Sequence, residues 1–354
     1  MKNSKVIAIV AVILAALPVR AEESSPPEKQ LPEPLRLIAP IPIGEKLTLK
    51  LWGFGQANFT DTALADELKW TNLRLTANLD GKHLGIGTQI NFADFQRATD
   101  GNWLRELYVQ YKINDTWKLR VGRLLLACGR GIQMPGPFLL ETVDYPLSQP
   151  WASYAYGIQA WRTSKDWLMI LDITGQSGLP FDSDQSFDRL ESSARLKRNF
   201  EQGFVGSTLE ASADFLRFGI DAGWTPNRWL FLRGEFDYTK NLNSQISDRF
   251  GAYLLVGVRP TSWWELSVQP EFYQDLPKYW TETVRTKGKD GKVTFESVDK
   301  QSSDKVISDI VFTTRFIGGR DLWSIKFGYI LPLENKKSGE QNNGKFLAQC
   351  QFRF

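Results

Sequence analysis

Only one histidine, His83, occurs among the 354 residues of the chain. It lies in a predicted turn, so a hydrolytic mechanism with histidine as general base beside a serine or an aspartate is disfavoured. The acids Glu235 and Asp237 lie two apart on one predicted strand face, where we interpret them as wall charges rather than as an acid/base pair. No Cys/His cluster, P-loop or glycine-rich nucleotide fingerprint occurs. We therefore expect no enzymatic activity, no metal site and no cofactor.

Cysteine is almost as scarce, with two residues in the whole chain. Cys128 falls at the end of one predicted strand, whereas Cys350 falls inside the last strand on its apolar face. A disulfide needs its two Cα atoms within about 7 Å, and these two strands are far apart in a meander. Cys350 is better explained as a small apolar residue facing lipid.

Long apolar runs are absent after the first residues of the chain. Lys2 and Lys5 precede an apolar run over 6–17, and small residues lead to Ala21, which is the layout of a secretory signal peptide over 1–21. The run is shorter than the roughly 20 residues of a membrane-spanning helix, and no later stretch approaches that length. We expect an exported protein with a proline-rich periplasmic leader over 22–46.

Charge of one sign is also lacking. The formal net charge is +3 with 23% charged residues, which indicates neither a nucleic-acid-binding protein nor a polybasic membrane tether. Aromatic residues, in contrast, make up 13% of the chain and include 13 tryptophans. Tryptophan is typical of the interfacial girdles of membrane barrels. The predicted girdle residues near strand ends are Trp103, Trp117, Trp151, Trp167, Trp224, Trp229, Trp263, Trp264 and Trp323.

From Leu47 onward, apolar and polar residues alternate with the period of a β-strand. In 73–79 and 84–92, for example, Leu and Ile alternate with Asn, Arg, Gly and Gln. Short turns alternate with longer loops, of which 127–151 and 275–304 are the longest, although the connector at 211–213 is short. This asymmetry is typical of hairpins with periplasmic turns at one end and extracellular loops at the other.

The last strand, FLAQCQFRF over 346–354, carries apolar residues on one face and mostly polar residues on the other. About sixteen strands can be counted, and an even number returns this strand to pair with the strand that begins near Leu47. The sequence therefore predicts an all-β fold: a closed antiparallel transmembrane β-barrel over 47–354. A soluble secreted β protein remains the alternative for the fold.

At the level of this pattern, nearly the whole mature chain resembles the bacterial outer-membrane porins. Phe354, with Phe346 and Phe352 before it, is similar to the family's barrel-assembly signal. The stretch WKLRVGR over 117–123, followed by a long loop, is similar to the segment before the inward-folded third loop of porins. The resemblance implies a Gram-negative outer-membrane location, with the bilayer, lipopolysaccharide, the barrel-assembly machinery and a homotrimer as partners, and no nucleic acid.

The loop over 127–151 is the candidate constriction. Its Phe138, Leu139 and Leu140 favour packing against a wall, and an inward fold would place Arg130, Glu141 and Asp144 in the channel. As a surface loop it would instead cap the barrel or contact a neighbour. The stretch 117–123 that precedes this loop is also loosely similar to the phosphate-selective O and P porins. The loop lacks the lysines of that group, so phosphate specificity is not supported.

Basic residues of the predicted inner faces form the candidate pore wall. They cost little in a water-filled pore but about 2 to 4 kcal/mol each if they face lipid near the midplane. In the alternative interpretation, these basic residues only form ion pairs with acids of the same wall, as a solvated lining. The acids are Asp172, Glu191, Asp221, Glu235 and Asp309. The sequence predicts passive diffusion of small hydrophilic solutes with a mild anion preference, or else a structural or adhesive barrel with an occluded lumen. The pore-wall candidates are Lys50, Arg74, Arg120, Arg195, Lys197, Arg217, Arg233 and Arg315.

Overall fold

The computed structural model describes residues 39–62, 65–93, 103–126, 154–175, 190–243, 245–287, 293–301, 306–318, 322–333 and 344–353. These ranges are almost entirely β-strand. The strands are β1 Ile41–Ile43, β2 Leu47–Thr62, β3 Ala65–Asp80, β4 Leu84–Asn91, β5 Leu104–Lys112, β6 Trp117–Leu125, β7 Tyr154–Thr163, β8 Trp167–Gly175, β9 Leu190–Phe200, β10 Gly203–Ala211, β11 Phe215–Trp224, β12 Leu230–Asn241, β13 Asp248–Thr261, β14 Trp264–Leu276, β15 Tyr279–Lys287, β16 Val293–Gln301, β17 Val306–Gly318, β18 Trp323–Pro332 and β19 Lys345–Arg353.

Sixteen of these strands form one closed antiparallel barrel. Strands β2 to β14 and β17 to β19 each pair with the next barrel strand along the chain, and β19 pairs with β2. Closure removes the free edges that an open sheet would expose. The predicted all-β class, the closed antiparallel barrel and the count of sixteen strands are confirmed.

The closing seam explains why the chain alternates so strictly near its end. Phe346 pairs with Asp61, and the register continues to Arg353 opposite Phe54. Phe346 and Phe352 are exposed on the outer wall, whereas Gln349 and Gln351 are buried on the inner one. The final residue of the predicted signal, Phe354, lies outside the described residues.

Glycine is required at one point of this seam. Gly55 pairs with Phe352, and a Cβ atom at Gly55 would lie 2.2 Å from the Phe352 ring. The aromatic side chain therefore rests on the bare backbone of the first barrel strand.

The connectors differ at the two ends of the barrel. One end, called the turn end below, carries the connectors 81–83, 113–116, 164–166, 201–202, 225–229, 262–263 and 319–322. The opposite loop end carries the remaining connectors. Most are longer, although 212–214 is as short as a turn, as the sequence indicates.

Two segments contain strands that the sequence pattern did not predict. Within 275–304, β15 and β16 form a separate antiparallel hairpin outside the barrel sheet. At the end of the predicted leader, β1 pairs with the beginning of β2, with Ile41 opposite Leu49. The residues of the predicted signal peptide and the leader up to residue 38 lie outside the described part of the chain.

The barrel wall has an apolar outside and a polar inside. On β11, Ile220 is 42% exposed while its neighbour Asp221 is 2% exposed, and this alternation recurs around the barrel. Side chains alternate between faces because successive strand residues point to opposite sides of a sheet. In the described ranges, no helix is both long and apolar enough to cross a membrane.

Candidate functional site

The inner wall is the candidate functional site. All eight basic residues predicted for it lie at inner positions of their strands, alternating with apolar residues of the outer wall. They are Lys50 on β2, Arg74 on β3, Arg120 on β6, Arg195 and Lys197 on β9, Arg217 on β11, Arg233 on β12 and Arg315 on β17. The predicted loop residues Arg130, Glu141 and Asp144 lie outside the described residues.

Two arginines of β9 and β11 are held by carboxylates. The Arg195 guanidinium lies 2.7 Å from Asp221 and donates a hydrogen bond to Thr208. Arg217 lies 2.7 Å from Glu210, and its Nε donates to a threonine of β12. These contacts are buried, so solvent screens them little. They fix the positions of the charges on this part of the wall.

Glu265 on β14 is shared by two bases. Its carboxylate lies 2.6 Å from Arg259 Nε and 3.3 Å from Arg315 Nη1. The sequence prediction of the site did not include Arg259 and Glu265. The alternation along their own strands, β13 and β14, nevertheless places both on the inner wall, as the alternation along β17 does for Arg315. Lys326 on β18 was missed in the same way and is buried on the inner wall.

Arg120 is held differently, between two aromatic rings. Its guanidinium carbon lies 4.6 Å from the centroid of the Tyr108 ring and 4.5 Å from that of Trp161. Its Nε donates a hydrogen bond of 3.0 Å to Gln110. These contact partners are neutral, although Arg120 also interacts electrostatically with Glu106 on β5.

A glycine makes room for this aromatic clamp. A Cβ atom at Gly87, on the neighbouring strand, would lie 2.3 Å from the Tyr108 ring. Nearby, Arg74 lies over the Phe54 ring and donates to Gln89 at 3.4 Å. The clamp and these contacts keep basic side chains close to the wall.

The charges are distributed unevenly around the barrel. Among the described inner-face residues, bases outnumber acids on β2 to β7, where Lys50, Arg74, Lys112, Lys118 and Arg120 face Asp80 and Glu106. On β8 to β14 the acids are the more numerous. In a closed barrel of sixteen strands, β5 lies opposite β13. The inner wall therefore has a more basic and a more acidic side. The inner-face acids of β8 to β14 are Asp172, Glu191, Glu210, Asp221, Glu235, Asp237, Glu265, Glu271 and Asp275.

An apolar cluster interrupts the polar inner wall. Phe231, Tyr253, Leu255 and Tyr273 form a buried group against which Ile307 packs. Leu255 is 0% exposed although it lies at an inner position of β13. Other protein atoms therefore cover this patch. The sequence pattern does not reveal this cluster, because Leu255 follows Leu254 and two adjacent leucines hide the alternation.

The tryptophans concentrate at the turn end. Five exposed tryptophans lie there, at or next to the ends of barrel strands: Trp167, Trp224, Trp229, Trp263 and Trp323. This position agrees with the predicted girdle for the described tryptophans at that end, whereas Trp103 lies at the loop end. Trp151 lies outside the described residues.

Over the described ranges, no group of three or more histidine, cysteine, aspartate or glutamate side chains could hold a metal ion. Cys350 is exposed on the outer wall, at the face predicted for it. Cys128, the other cysteine of the chain, lies outside the described residues.

Comparison with known proteins identifies the architecture. No protein-family model matches the sequence, and no curated protein matches it. Among solved structures, a loop-deletion mutant of OmpT, an outer membrane protein of Vibrio cholerae, has a TM-score of 0.62 at 8% identity, covering 88% of this chain and all of that one. The chain has the fold of an outer-membrane β-barrel.

Two further matches are to proteins described as a channel and a porin. The outer membrane channel DcaP of Acinetobacter baumannii has a TM-score of 0.58 at 10% identity and covers 90% of this chain and 100% of its own. An anion-selective porin from Comamonas acidovorans has a TM-score of 0.57 at 11% identity and covers 87% and 99%. At these identities, the likeness concerns the porin-like fold alone.

Proposed function

We propose that the protein is an outer-membrane porin through which small hydrophilic solutes and ions diffuse passively. The observation that carries this proposal is the closed barrel with an apolar outer wall and a charged, hydrogen-bonding inner wall. Backbone groups in hydrocarbon must be satisfied within the protein, and a closed barrel does this without an edge. An inner wall rich in ionic groups suits a water-filled passage, and no chemical step is needed for transport.

The location follows from the same proposal. Export by the predicted signal peptide over 1–21 would deliver the chain to the periplasm, with the leader over 22–46 remaining there. The barrel-assembly machinery would then insert the barrel among lipopolysaccharide and phospholipid, with the turn end facing the periplasm. A homotrimer is the assembly that the resemblance to porins implies.

We also propose that the loop over 127–151 narrows the pore and places Arg130, Glu141 and Asp144 near the passage. The inner-wall apolar cluster around Leu255 supports this proposal, because it is covered by other protein atoms and an inward-folded apolar segment is one way to account for that cover. The cluster lies on β12 to β14, across the barrel from β6, after which the loop begins.

The proposed charge preference is mildly anionic. Carboxylates such as Glu210, Asp221 and Glu265 are each in contact with an arginine, which reduces their effect on a passing ion. Arg120, in contrast, is held by neutral groups. The field of the more basic side would therefore attract anions more than the opposite side attracts cations.

Planar-bilayer recording of the full mature chain tests the proposal. Discrete, long-lived conductance steps that scale with salt concentration are expected from a water-filled pore. The matched control is the same preparation after heat denaturation, which should give no steps. A folded, inserted barrel without conductance would contradict the channel function.

That outcome would favour the second candidate, a structural or adhesive barrel with an occluded lumen. The observation in its favour is the complete burial of Leu255 and Val311 at inner positions, which shows that part of the inner wall is covered. Heat-modifiable migration in detergent gels establishes barrel folding independently of conductance. The two candidates are therefore distinguishable on one sample.

A further inference from the structure

Two arginine–tryptophan pairs lie on the outer wall at the turn end, between β6 and β9. Arg162 on β7 pairs with Trp117 on β6, and its guanidinium carbon lies 5.7 Å from the centroid of the Trp117 ring. Arg198 on β9 pairs with Trp167 on β8 at a corresponding distance of 5.4 Å. These four side chains, together with exposed Lys165 in the turn 164–166, are called the Arg–Trp patch.

The patch faces outward rather than into the lumen. Ile158, four residues before Arg162 on the same strand, is an exposed outer-wall residue, and an even spacing keeps both on one face. Leu196, two residues before Arg198, is likewise exposed on the outer wall. Exposed apolar residues of the outer wall therefore lie directly above both arginines, and a further one, Phe200, lies beyond Arg198 at the end of β9.

The arginines of the patch are not neutralised by the protein. Within the part of the chain that the structure describes, neither Arg162 nor Arg198 forms an ion pair, and Asp166 in the adjacent turn pairs with neither. The Nε of Arg162 is moreover buried without a hydrogen-bond partner. Arginine presents its donors in a planar fork suited to phosphate, and stacking on tryptophan holds that fork in place.

The depth of the patch identifies the occupant. Tryptophan girdles lie at the level of the lipid headgroups, and the apolar belt above the patch would lie in hydrocarbon. With the turn end facing the periplasm, the headgroups at this level belong to the phospholipids of the periplasmic leaflet. An anionic phospholipid adds a negative charge that complements three unneutralised bases.

We propose that the Arg–Trp patch is a binding site for the phosphate headgroup of an anionic phospholipid in the periplasmic leaflet. The proposal goes beyond channel function and rests on the proposed membrane location and orientation. Arg162 and Arg198 bind the phosphate oxygens, Lys165 adds attraction from the turn, and Trp117 and Trp167 pack beside the upper acyl chain.

The test is native mass spectrometry of the full mature chain released from vesicles that contain equal amounts of phosphatidylglycerol and phosphatidylethanolamine. The wild-type protein is expected to retain phosphatidylglycerol preferentially. The double variant Arg162→Gln/Arg198→Gln should lose this preference by about fivefold for each arginine. The control is Arg228→Gln, which removes an arginine stacked singly on Trp229 in another turn and should leave the preference unchanged.

Each outcome bears on the proposal. Equal retention of the two lipids by the wild type, a preference that the double variant keeps, or occupation of the patch by a second copy of the chain in cross-linking would overturn it. Loss of binding in the presence of millimolar inorganic phosphate would point to a free anion instead and would also overturn it. If the double variant fails to fold, the wild-type protein alone decides the question. Its preference for phosphatidylglycerol over phosphatidylethanolamine should decrease as salt is added, and a preference that salt does not change would overturn the proposal. Failure of the barrel to insert into vesicles would instead remove the proposed function.

Discussion

Arg195 on β9 and Asp221 on β11 form an ion pair across the intervening strand β10, with a nitrogen–oxygen distance of 2.7 Å. The two side chains are 1% and 2% exposed. Gly206 on β10 lies beneath them, and a Cβ atom there would be 2.7 Å from Asp221 Oδ1 and 2.8 Å from Arg195 Nη2. The pair can therefore cross β10 only because residue 206 has no side chain.

The first prediction concerns this ion pair. Arg195→Gln or Asp221→Asn alone should lower the free energy of unfolding by about 3 to 5 kcal/mol, because each leaves a buried charge without its partner. The double variant should lose less than the sum of the two single losses. Urea unfolding in lipid vesicles, followed by tryptophan fluorescence, measures both effects. Arg228→Gln, at an exposed turn, is the control, and strict additivity would show that the two charges do not act together.

The second prediction uses adjacent residues on opposite faces of β19. Cys350→Arg places a charge on the exposed outer wall and should destabilise the barrel in vesicles by about 2 to 4 kcal/mol if that position lies near the bilayer midplane. Gln349→Arg places the same charge on the inner wall and should cost clearly less. Equal losses in urea unfolding would mean that the outer wall does not contact lipid.

These two faces also show what the sequence could predict. The alternation in 346–353 identified the outward phenylalanines, the inward glutamines and the closing partner strand, because a period of two follows directly from strand geometry. Asp221 was among the wall acids named as possible partners, but its pairing with Arg195 could not be assigned from the sequence, and the partners of Arg217 and Arg120 were not predicted. They depend on cross-strand register, and alternation alone does not reveal the register.

The hairpin β15–β16 escaped prediction for a different reason. The hairpin follows β14 and precedes β17 with only a few residues in between. The whole region 275–304 was therefore interpreted as one long loop between two barrel strands. The apolar inner cluster was missed because an inner Leu255 contradicts the rule that porin interiors are polar. A pattern rule fails where another part of the protein covers the wall.

The third prediction concerns assembly. Deleting Phe354, or replacing it with a charged residue, should reduce insertion into the outer membrane while secretion to the periplasm continues. The reason is that the apolar alternation that runs through Phe346 and Phe352 would then lack the C-terminal aromatic residue predicted as part of the assembly signal. Fractionation with heat-modifiable migration measures insertion. Deletion of residues 23–30 in the leader is the control, and normal insertion without Phe354 would contradict its role as the assembly signal.

The fourth prediction concerns the proposed constriction. Removing residues 131–144 should raise single-channel conductance, because a segment that narrows the passage would be gone. Shortening the hairpin β15–β16 by removing residues 284–296 is the control, since that hairpin lies outside the barrel sheet. Unchanged conductance after the first deletion would place the loop outside the passage and make Glu141 and Asp144 surface charges.

The last prediction is the ion preference, for which two effects compete. Arg74, Arg120 and Arg217 lie on the inner wall, and a channel with low-dielectric walls strengthens their attraction for anions. Glu141 and Asp144, if they lie at the narrowest point, oppose this attraction. Screening over about 8 Å at physiological salt weakens whichever charges lie farther from the ion path. The native channel should therefore be only mildly anion-selective.

The triple variant replaces Arg74, Arg120 and Arg217 with glutamine. Its reversal potential in a salt gradient should shift toward the value of a cation-selective channel. The shift should be larger at low salt, where the Debye length is longer. Arg120→Gln alone should account for more of it than Arg217→Gln alone, because Arg217 forms a direct ion pair with Glu210 whereas the hydrogen bond and ring contacts of Arg120 are to neutral groups. Arg228→Gln, at an exposed turn outside the lumen, is the control. A strongly cation-selective native channel, or an unaltered reversal potential in the triple variant, would show that these arginines do not control the ion path.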